Sequence, residues 1–360
     1  MKPRNFLVIL SPIIILLLVC TPFVAALPRN TYLTNFIDQN ALDNNNGFSN
    51  APGGDTISYP ATYYSLSILN YYGKTQSAIN SANLKDHLED VLNNIVDNAN
   101  LKMYDLFYVL KSLNALQFTF STSLKNKITA YLNATEQSGG GFSYTKESTT
   151  PNLIATYMAM ESYQMVGSII PNKTIQKSWI LSCYNLDGGY GGSQTEDSSL
   201  PNTFYAILSF EELWNITDLS NYNTTTLTYL KGFYQQNGGY LIDHLDTVPL
   251  LSSTYYCIKA LSIIDKNQIT NKERTISWIL EHQNTDDGGF SEVREGTNVQ
   301  KSTVTSSYYA FQTLMILNAV SYLNEDIGVV PFNWVILLII FIVIGVVIVL
   351  GYYIYKKRKI

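Results

Sequence analysis

The sequence predicts an all-α fold of about six helix-pair repeats, each roughly 50 residues long, followed by one C-terminal transmembrane helix. A turn of two glycines and one aromatic residue recurs, with the aromatic residue at positions 142, 190, 240 and 290, in steps of 48, 50 and 50 residues. An apolar, helix-like segment follows each turn, and a charge-free run of 19 residues, 335–353, lies near the end of the chain. A fixed period of this size is typical of repeat architectures.

The glycine turn is expected to end the first helix of each repeat. Glycine pairs suit a helix C-terminus because glycine adopts a positive φ at little cost. Phe48 stands 94 residues before Phe142, close to two steps, so one copy that has lost its glycines is expected near residue 95. The turn residues are Gly140, Gly141, Phe142, Gly188, Gly189, Tyr190, Gly238, Gly239, Tyr240, Gly288, Gly289 and Phe290.

A second segment follows each turn and opens with a hydroxyl residue and an aromatic residue, for example Thr156 and Tyr157. Segments such as 155–165 are apolar at nearly every position, which indicates a helix buried on all sides. Segments before the turns, such as 276–280, are amphipathic. Each repeat is therefore interpreted as outer helix, glycine turn and inner helix. The hydroxyl is expected to accept a free backbone N–H at or near the start of the inner helix.

The repeat without glycines spans 84–116, with its inner helix predicted at 104–116. Asp105 stands near the start of that helix, where the other copies have a neutral residue. A carboxylate there favours the helix N-terminus by about 0.3–1 kcal/mol. This structural role is preferred to a catalytic one.

The combination Gln-x-x-x-x-Gly-Gly-Phe and Thr-x-Tyr-x-x-x-x-Leu resembles the repeat of the prenyltransferase β-subunit and terpene cyclase superfamily, over residues 31–322. The resemblance implies an α6/α6 toroid, in which six inner helices surround a central cavity and six outer helices surround them. An open solenoid of HEAT type, with helix pairs of about 40–47 residues, is the alternative. A count of six favours the closed ring, since a closed ring needs no capping repeats.

Both ends of the chain predict a membrane protein. Residues 1–26 combine a charged start, a short apolar run and small residues, which is typical of a cleaved signal peptide, with an uncleaved anchor as the alternative. Residues 335–353 are long enough to span a bilayer, and the basic tail 354–360 marks the cytoplasmic side. The toroid, 27–326, and the linker, 327–334, are then expected outside the cytoplasm of a single-pass protein of the cell membrane. Glycosylation is predicted at Asn133, Asn172, Asn215 and Asn223.

Composition limits the partners. The net charge is −5, and no basic patch of the kind that nucleic-acid binders need is visible, so nucleic acid is not expected as a partner. Outside the predicted signal peptide the cysteines are Cys183 and Cys257, which lie in different repeats. Burial in the core is preferred to a disulfide for this pair.

The resembled superfamily has catalytic motifs that this chain does not preserve. Its protein prenyltransferases hold zinc with Asp-x-Cys and a later His before the Thr of an inner helix. Here Asp-x-Cys is missing, and Ser253 and Ser306 stand at that later position. Its cyclases use Asp-x-Asp-Asp, of which Asp286 and Asp287 preserve only a part, and the thioester motif of complement-like toroids is missing too. No zinc, other metal or cofactor is therefore predicted.

The loops between the turns and the inner helices contain the remaining candidate site. Two carboxylates and an imidazole close together in residues 243–246 could bind a metal or transfer a proton, although a solvated polar loop is the simpler interpretation. Because these loops are acidic, an anionic diphosphate is less expected than a neutral, cationic or peptide ligand. The candidate rim residues are Asp243, His244, Asp246, Glu196, Asp197, Glu292, Arg294 and Glu295.

Three functions remain. The preferred one is a non-catalytic, membrane-anchored surface protein that binds a protein, lipid or glycan, because no catalytic motif set survives. The second is an enzyme of the resembled superfamily that acts on an isoprenoid or lipid, which a deep apolar cavity would favour. The third is a carbohydrate-active toroid, which requires paired acids about 5–10 Å apart. A plugged centre would favour the first.

Overall fold

The computed structural model describes residues 27–44, 46–97, 102–295, 298–299, 301–327, 351 and 356–357. Contacts divide the chain into two units, Arg29–Asn324 and a second unit composed of Met1–Pro28 and Glu325–Ile360. The predicted signal peptide, 1–26, and the predicted transmembrane segment, 335–353, apart from Gly351, lie outside the described residues. Among the helices of the described residues, none combines the length and the apolar character needed to cross a bilayer.

Thirteen α-helices are described in the unit Arg29–Asn324. In chain order they are α1 Arg29–Gln39, α2 Tyr59–Tyr71, α3 Thr75–Ala78, α4 Ser81–Asp97, α5 Met103–Ala115, α6 Thr122–Thr135, α7 Leu153–Met165, α8 Lys173–Ser182, α9 Leu200–Leu213, α10 Asn223–Lys231, α11 Leu251–Asp265, α12 Lys272–Glu281 and α13 Val304–Ile316. Short 3₁₀ helices cover Ile216–Leu219, Lys266–Gln268 and Val320–Asn324. A small antiparallel pair joins β1, Arg294–Glu295, to β2, Asn298–Val299.

Helices pair into six repeats, each with an outer and an inner helix. The outer helices are α1, α4, α6, α8, α10 and α12, and the inner helices are α2, α5, α7, α9, α11 and α13. Each inner helix contacts the next one along the chain, and the last, α13, contacts the first, α2. This closed ring confirms the predicted toroid and makes the open solenoid wrong.

The same backbone hydrogen bond joins successive repeats and closes the ring. The first N–H groups of an α-helix have no partner within the helix. In α7 the Leu153 N–H donates to the Gly192 carbonyl of the next repeat at 2.8 Å. In α13 the Val304 N–H donates to the Asn50 carbonyl of the first repeat at 2.9 Å. The last repeat therefore meets the first as repeat 3 meets repeat 4.

Each aromatic residue of a turn has both of its backbone polar groups bonded to the inner helix of its own repeat. In repeat 3 the Phe142 N–H donates to Thr156 Oγ1 at 2.8 Å, and the Phe142 carbonyl accepts from the Asn152 N–H at 2.9 Å. Thr156 Oγ1 in turn donates to the Asn152 carbonyl at 2.7 Å. The N–H to hydroxyl bond recurs in five repeats, at Phe48–Thr62, Phe142–Thr156, Tyr190–Thr203, Tyr240–Thr254 and Phe290–Ser307.

The predicted partner of the hydroxyl residue, an N–H at the start of the inner helix, was wrong. The hydroxyl accepts a backbone N–H as predicted, but that N–H belongs to the turn and not to the helix. Thr156 is the fourth residue of α7, and Asn152 caps the helix. The hydroxyl is therefore a clamp between turn and helix.

The glycine pairs allow the turn to approach the next outer helix closely. Gly238 has φ +108°, and a Cβ atom there would lie 2.5 Å from the Arg274 carbonyl oxygen of α12. A Cβ atom on Gly239 would lie 2.7 Å from the Trp278 ring of the same helix. Any side chain at either position would push α12 away, so both positions require glycine.

The repeat without glycines and the two cysteines lie as expected. The inner helix of that repeat, predicted at 104–116, is α5, Met103–Ala115. Asp105 lies in its first turn, but partial burial raises the pKa of this carboxyl group, against a smaller lowering by Lys102. Cys183 and Cys257 are both buried and free.

The clamp predicts the effect of removing one hydroxyl. Replacing Thr156 with Val keeps the shape of the side chain but leaves the buried Phe142 N–H without its acceptor. We expect the free energy of unfolding to fall by about 1–3 kcal/mol, measured by chemical denaturation. Thr156→Ser is the matched control, because Ser307 serves as the clamp in repeat 6. An equal loss in both variants would contradict the clamp.

His282 predicts how stability depends on pH. Burial lowers the pKa of His282 to about 4, against the raising effect of its bond to the Trp278 carbonyl, and the Arg294 charge lowers it further. Below about pH 6.5 the His282 ring takes up a proton in the unfolded chain, whereas in the folded chain it does so only near pH 4. Folding stability therefore falls as the pH drops through this window, by at most about 3 kcal/mol.

His282→Asn tests this pH dependence without loss of the hydrogen bond. Asn40 stands at the equivalent position of repeat 1, and its Nδ2 donates to the Phe36 carbonyl at 2.7 Å. The same distance separates His282 Nδ1 from the Trp278 carbonyl oxygen. Denaturation midpoints between about pH 4 and 7 should fall less steeply in the variant than in the wild type. Parallel curves would show that His282 contributes nothing to the acid sensitivity.

Candidate functional site

The fifth and sixth residues of the six inner helices converge on the centre of the ring. Eleven of these twelve residues are aromatic, nine tyrosines and two phenylalanines, and all eleven line one central cavity. We call this set the aromatic belt. Its members are Tyr63, Tyr64, Phe107, Tyr108, Tyr157, Phe204, Tyr205, Tyr255, Tyr256, Tyr308 and Tyr309.

Rings from neighbouring inner helices pack directly on one another in the belt. Tyr64 and Tyr308 stack with ring centroids 4.1 Å apart, and the Tyr64 and Tyr108 hydroxyl oxygens lie 2.7 Å apart. The Tyr256 and Tyr309 hydroxyl groups form a hydrogen bond, with their oxygens 3.1 Å apart. Because residues at equivalent helix positions meet, the inner helices are parallel and in register. The belt fills most of the centre.

Buried tyrosines of the belt are held in the neutral form. Burial raises the pKa of Tyr64, Tyr108 and Tyr205 well above the usual value, and their phenol neighbours raise it further. Burial likewise raises the pKa of Tyr256 to about 12. None of these four phenols is therefore available as a phenolate nucleophile or base near neutral pH.

The cavity is small and extends from the belt towards the C-terminal ends of the inner helices. Its volume is about 160 Å³, whereas pockets for drug-sized ligands are typically about 300–1,000 Å³. Beyond the belt it is lined by Lys111, Leu208 and Lys259, each the ninth residue of its helix, and by Glu212. The centre is therefore neither a deep apolar tunnel nor an acid-lined cleft.

A charged cluster lies beside the cavity. Lys111 pairs with Glu161, the ninth residue of α7, and Lys259 pairs with Glu211 at 3.0 Å. Burial alone would lower the pKa of Lys111, but the Glu161 carboxylate raises it, so the ammonium group stays charged. Lys111 Nζ also lies 5.5 Å from the centroid of the Tyr63 ring.

Glu212 is the carboxylate of this cluster that has no ion pair with any described residue. Its Oε2 accepts the Tyr157 hydroxyl at 3.0 Å. Although much of its side chain reaches solvent, the cavity wall removes water from the carboxyl group. This desolvation, followed by the nearby Glu161 charge, raises the pKa of Glu212. The arrangement can attract a cation or hold a proton.

The candidate rim residues of repeat 5 form a local turn. The Asp243 carboxylate accepts the Leu245 N–H at 2.8 Å, and the Asp246 N–H donates to the Asp243 carbonyl. The His244 ring stacks on Phe233 with centroids 4.1 Å apart. These three residues are exposed, and none contributes to the lining of the central cavity.

The candidates of repeats 4 and 6 also make local contacts. Glu196 accepts the Ser193 hydroxyl at 3.1 Å, and both Glu196 and Asp197 are exposed. Glu292 accepts the Ser252 N–H at 2.9 Å and the Ser306 hydroxyl at 2.8 Å, so it ties α11 to α13. Arg294 donates to the Glu281 carbonyl, and Arg294 and Glu295 form β1.

The positions that correspond to the zinc ligands of the resembled superfamily do not suit a metal ion. Ser253 Oγ donates to the Tyr240 carbonyl at 2.5 Å, and Ser306 Oγ donates to Glu292. Both hydroxyls are thus engaged in the framework. Within the described residues, no group of three or more His, Cys, Asp and Glu side chains is placed to hold a metal ion.

The four sequon asparagines lie at or near helix ends. Asn133 lies in the last turn of α6, and its Oδ1 accepts the Tyr163 hydroxyl at 2.6 Å. Asn172 and Asn215 are the exposed N-caps of α8 and of the 3₁₀ helix Ile216–Leu219. Asn223 is the first residue of α10. Glycosylation at these sites stays a prediction.

The sequence analysis did not identify the central site. It noted one aromatic residue after each hydroxyl residue but interpreted most tyrosines as core packing. The available signal was the doubled aromatic pair at the fifth and sixth positions of five inner helices. A second signal was the presence of Lys111, Glu161 and Lys259 within otherwise apolar segments.

Comparison with known proteins agrees with this architecture. The prenyltransferase alpha-alpha toroid domain matches residues 82–178, 167–247 and 246–330. A comparison with curated protein sequences gives no significant match.

Solved structures show the same fold at low identity. Protein geranylgeranyltransferase-I of Candida albicans, complexed with GGPP, has a TM-score of 0.56 and 19% identity, covering 75% of this chain and 86% of that one. The type II terpene cyclase MstE of Scytonema has a TM-score of 0.55 and 12% identity, covering 82% and 100%. A protein from Actinoplanes has a TM-score of 0.55 and 11% identity, covering 82% and 100%.

These structural likenesses concern the fold alone. The family model, however, covers residues 82–330, which is more than half of the chain. The chain therefore belongs to the prenyltransferase alpha-alpha toroid domain family.

Proposed function

We propose that this chain is a membrane-anchored, extracytoplasmic toroid that binds a ligand in its central cavity without chemical turnover. The observation that supports this most directly is the aromatic belt, which leaves a cavity of about 160 Å³. A ligand of this size is a small molecule or one group of a larger one.

The chemistry around the cavity supports binding over isoprenoid turnover. A geranylgeranyl chain, of the kind named with the Candida albicans and Scytonema proteins, has twenty carbons, whereas this cavity of about 160 Å³ is smaller than the usual pocket for a drug-sized ligand. The hydroxyls of Ser253 and Ser306 are engaged in hydrogen bonds of the framework, and buried belt tyrosines such as Tyr64 are neutral phenols.

One observation favours the alternative, an enzyme of the family that acts on an isoprenoid. Burial raises the pKa of Glu212, so this group could donate a proton into the cavity. The carbohydrate-active alternative has less support. Its candidate acids, Glu196 and Glu292, accept hydrogen bonds within the framework instead of facing a common cleft.

The choice between binding and turnover has a direct test. Purified full-length protein is incubated with geranylgeranyl diphosphate, alone and with a cysteine-containing acceptor peptide, and the products are identified by mass spectrometry. We expect no consumption of the diphosphate above a protein-free control, because the cavity is small and the described residues offer no metal site. Glu212→Gln should behave as the wild type does. Consumption that disappears in Glu212→Gln would establish the enzyme instead.

The proposed location depends on the two ends of the chain. The features that support it are the signal-like residues 1–26, the charge-free run 335–353 and the four basic residues after it. The abundance of exposed polar side chains on the outer helices, such as Lys173 and Glu273, suits a toroid that contacts water around its circumference.

Fractionation tests this location. We expect the full-length chain to stay with membranes after extraction at alkaline pH, and a chain that ends at Ile327 to be released, because the anchor lies in 335–353. Protease added to intact cells should degrade the toroid and spare a tag placed after residue 360. Degradation of that tag in place of the toroid would reverse the orientation, and extraction of the full-length chain would rule out the anchor.

A further inference from the structure

We infer that the central cavity binds a quaternary ammonium group, the trimethylammonium head found in choline and in choline lipids. This inference rests on the proposed binding function and specifies the ligand class. It depends on three features of the cavity: its aromatic wall, its unpaired carboxylate and its position in the ring.

The wall offers aromatic faces to a cation. Tyr63, Tyr205, Tyr255 and Tyr256 keep part of their surface accessible, whereas the remainder of the belt is buried. A cation within about 6 Å of such a ring is attracted by the negative face of the π system. The protein already uses this attraction, because Lys111 Nζ lies 5.5 Å and 5.4 Å from the ring centroids of Tyr63 and Phe107.

Charge at the cavity favours a cation over an anion. Lys111 and Lys259 are neutralised by Glu161 and Glu211. The remaining charged group of the lining, Glu212, forms no ion pair with a described residue and accepts one hydroxyl from Tyr157. A ligand with a single positive charge would balance the site.

The position of the cavity adds a negative potential. All six inner helices run in the same direction, and the cavity opens on the side where they end, as its lining residues at the ninth and later positions indicate. Each helix C-terminus carries a partial negative charge equivalent to about half an electron. Six parallel helices therefore disfavour a phosphate or carboxylate in this part of the cavity.

Size and hydrogen bonding select the quaternary form. A cavity of about 160 Å³ accommodates a compact, nearly spherical group. A primary ammonium carries three N–H donors that need acceptors, and the wall supplies mainly phenol rings that already bond to one another, such as Tyr64 with Tyr108 and Tyr256 with Tyr309. A trimethylammonium group has no N–H and needs only the π faces and a nearby negative charge.

The test compares choline with its neutral carbon analogue, 3,3-dimethylbutan-1-ol, which has the same shape. Each is titrated into the full-length protein by calorimetry at constant ionic strength. We expect choline to bind at least about tenfold more tightly than the alcohol, as aromatic sites for desolvated cations do. Equal affinity would overturn the cationic ligand while leaving the cavity as a binding site. No binding of choline would overturn the inference as well.

Matched variants locate the interaction. Tyr255→Leu removes an aromatic face and should weaken choline binding about tenfold, whereas Tyr255→Phe keeps the face and should bind nearly as the wild type does. Glu212→Gln should weaken binding severalfold. Glu273→Gln removes an exposed carboxylate from an outer helix and should have no effect. If Tyr255→Leu fails to fold, the comparison of Glu212→Gln with Glu273→Gln still tests whether choline binds at the central cavity. Equal choline affinity in these two variants would overturn the inference.

The source of the head group is decided with the same protein. Free choline and dihexanoylphosphatidylcholine below its micelle concentration are titrated in parallel. Tighter binding of choline points to a free small molecule, and tighter binding of the lipid points to a membrane head group. Either result supports the inference. If neither ligand binds, the inference is overturned. Turnover of geranylgeranyl diphosphate would contradict the proposed function separately, since it is measured without choline.

Discussion

The hydrogen bond from the turn aromatic to the hydroxyl of the inner helix sets the rotation of that helix. The hydroxyl is the fourth helical residue, and it must face the turn, on the outer side of the inner ring. Each residue advances an α-helix by about 100°. The fifth, sixth, ninth and thirteenth residues therefore lie roughly 100°, 200°, 140° and 180° away from the hydroxyl. All four positions face the centre, and these are the positions that line the cavity. One buried contact, repeated in five of the six repeats, thus orients nine of the eleven belt residues.

This rotation makes the centre of the ring unlike an ordinary core. Equivalent positions of the inner helices form layers around the cavity. The fifth and sixth positions supply aromatic rings, and the ninth position supplies the charged groups Lys111 and Lys259. The aromatic layer narrows the cavity. The charged layer, with Lys111 and Glu161 on neighbouring inner helices, lies where the ring opens. Because opposite charges there are paired except at Glu212, the site retains a local preference for positive ligands.

The sequence predicted the candidate site in the rim loops and core packing for most tyrosines. In the structure the rim residues make framework contacts, and tyrosines line the central cavity. Asp243, His244 and Glu292 attracted attention because polar side chains in loops often serve function. In the structure Asp243 closes a turn, His244 covers an aromatic ring and Glu292 ties two inner helices together. Conversely, an aromatic residue in an apolar helix is normally packing, so the sequence offered little reason to single out the belt. Only the ring places eleven such residues around one point.

The sequence by itself determined the repeat, its period, the pairing of outer and inner helices and the need for glycine at the turns. These depend on local patterns: apolar periodicity, positive φ and the spacing of the hydroxyl from the aromatic residue. It also indicated the burial of Cys183 and Cys257. The tertiary structure decided that α13 meets α2, that Lys111 meets Glu161 fifty residues away, and that the belt leaves only a small cavity. Such features depend on the curvature accumulated over six repeats and on side-chain volumes summed across the ring, and no single stretch of the chain contains either quantity.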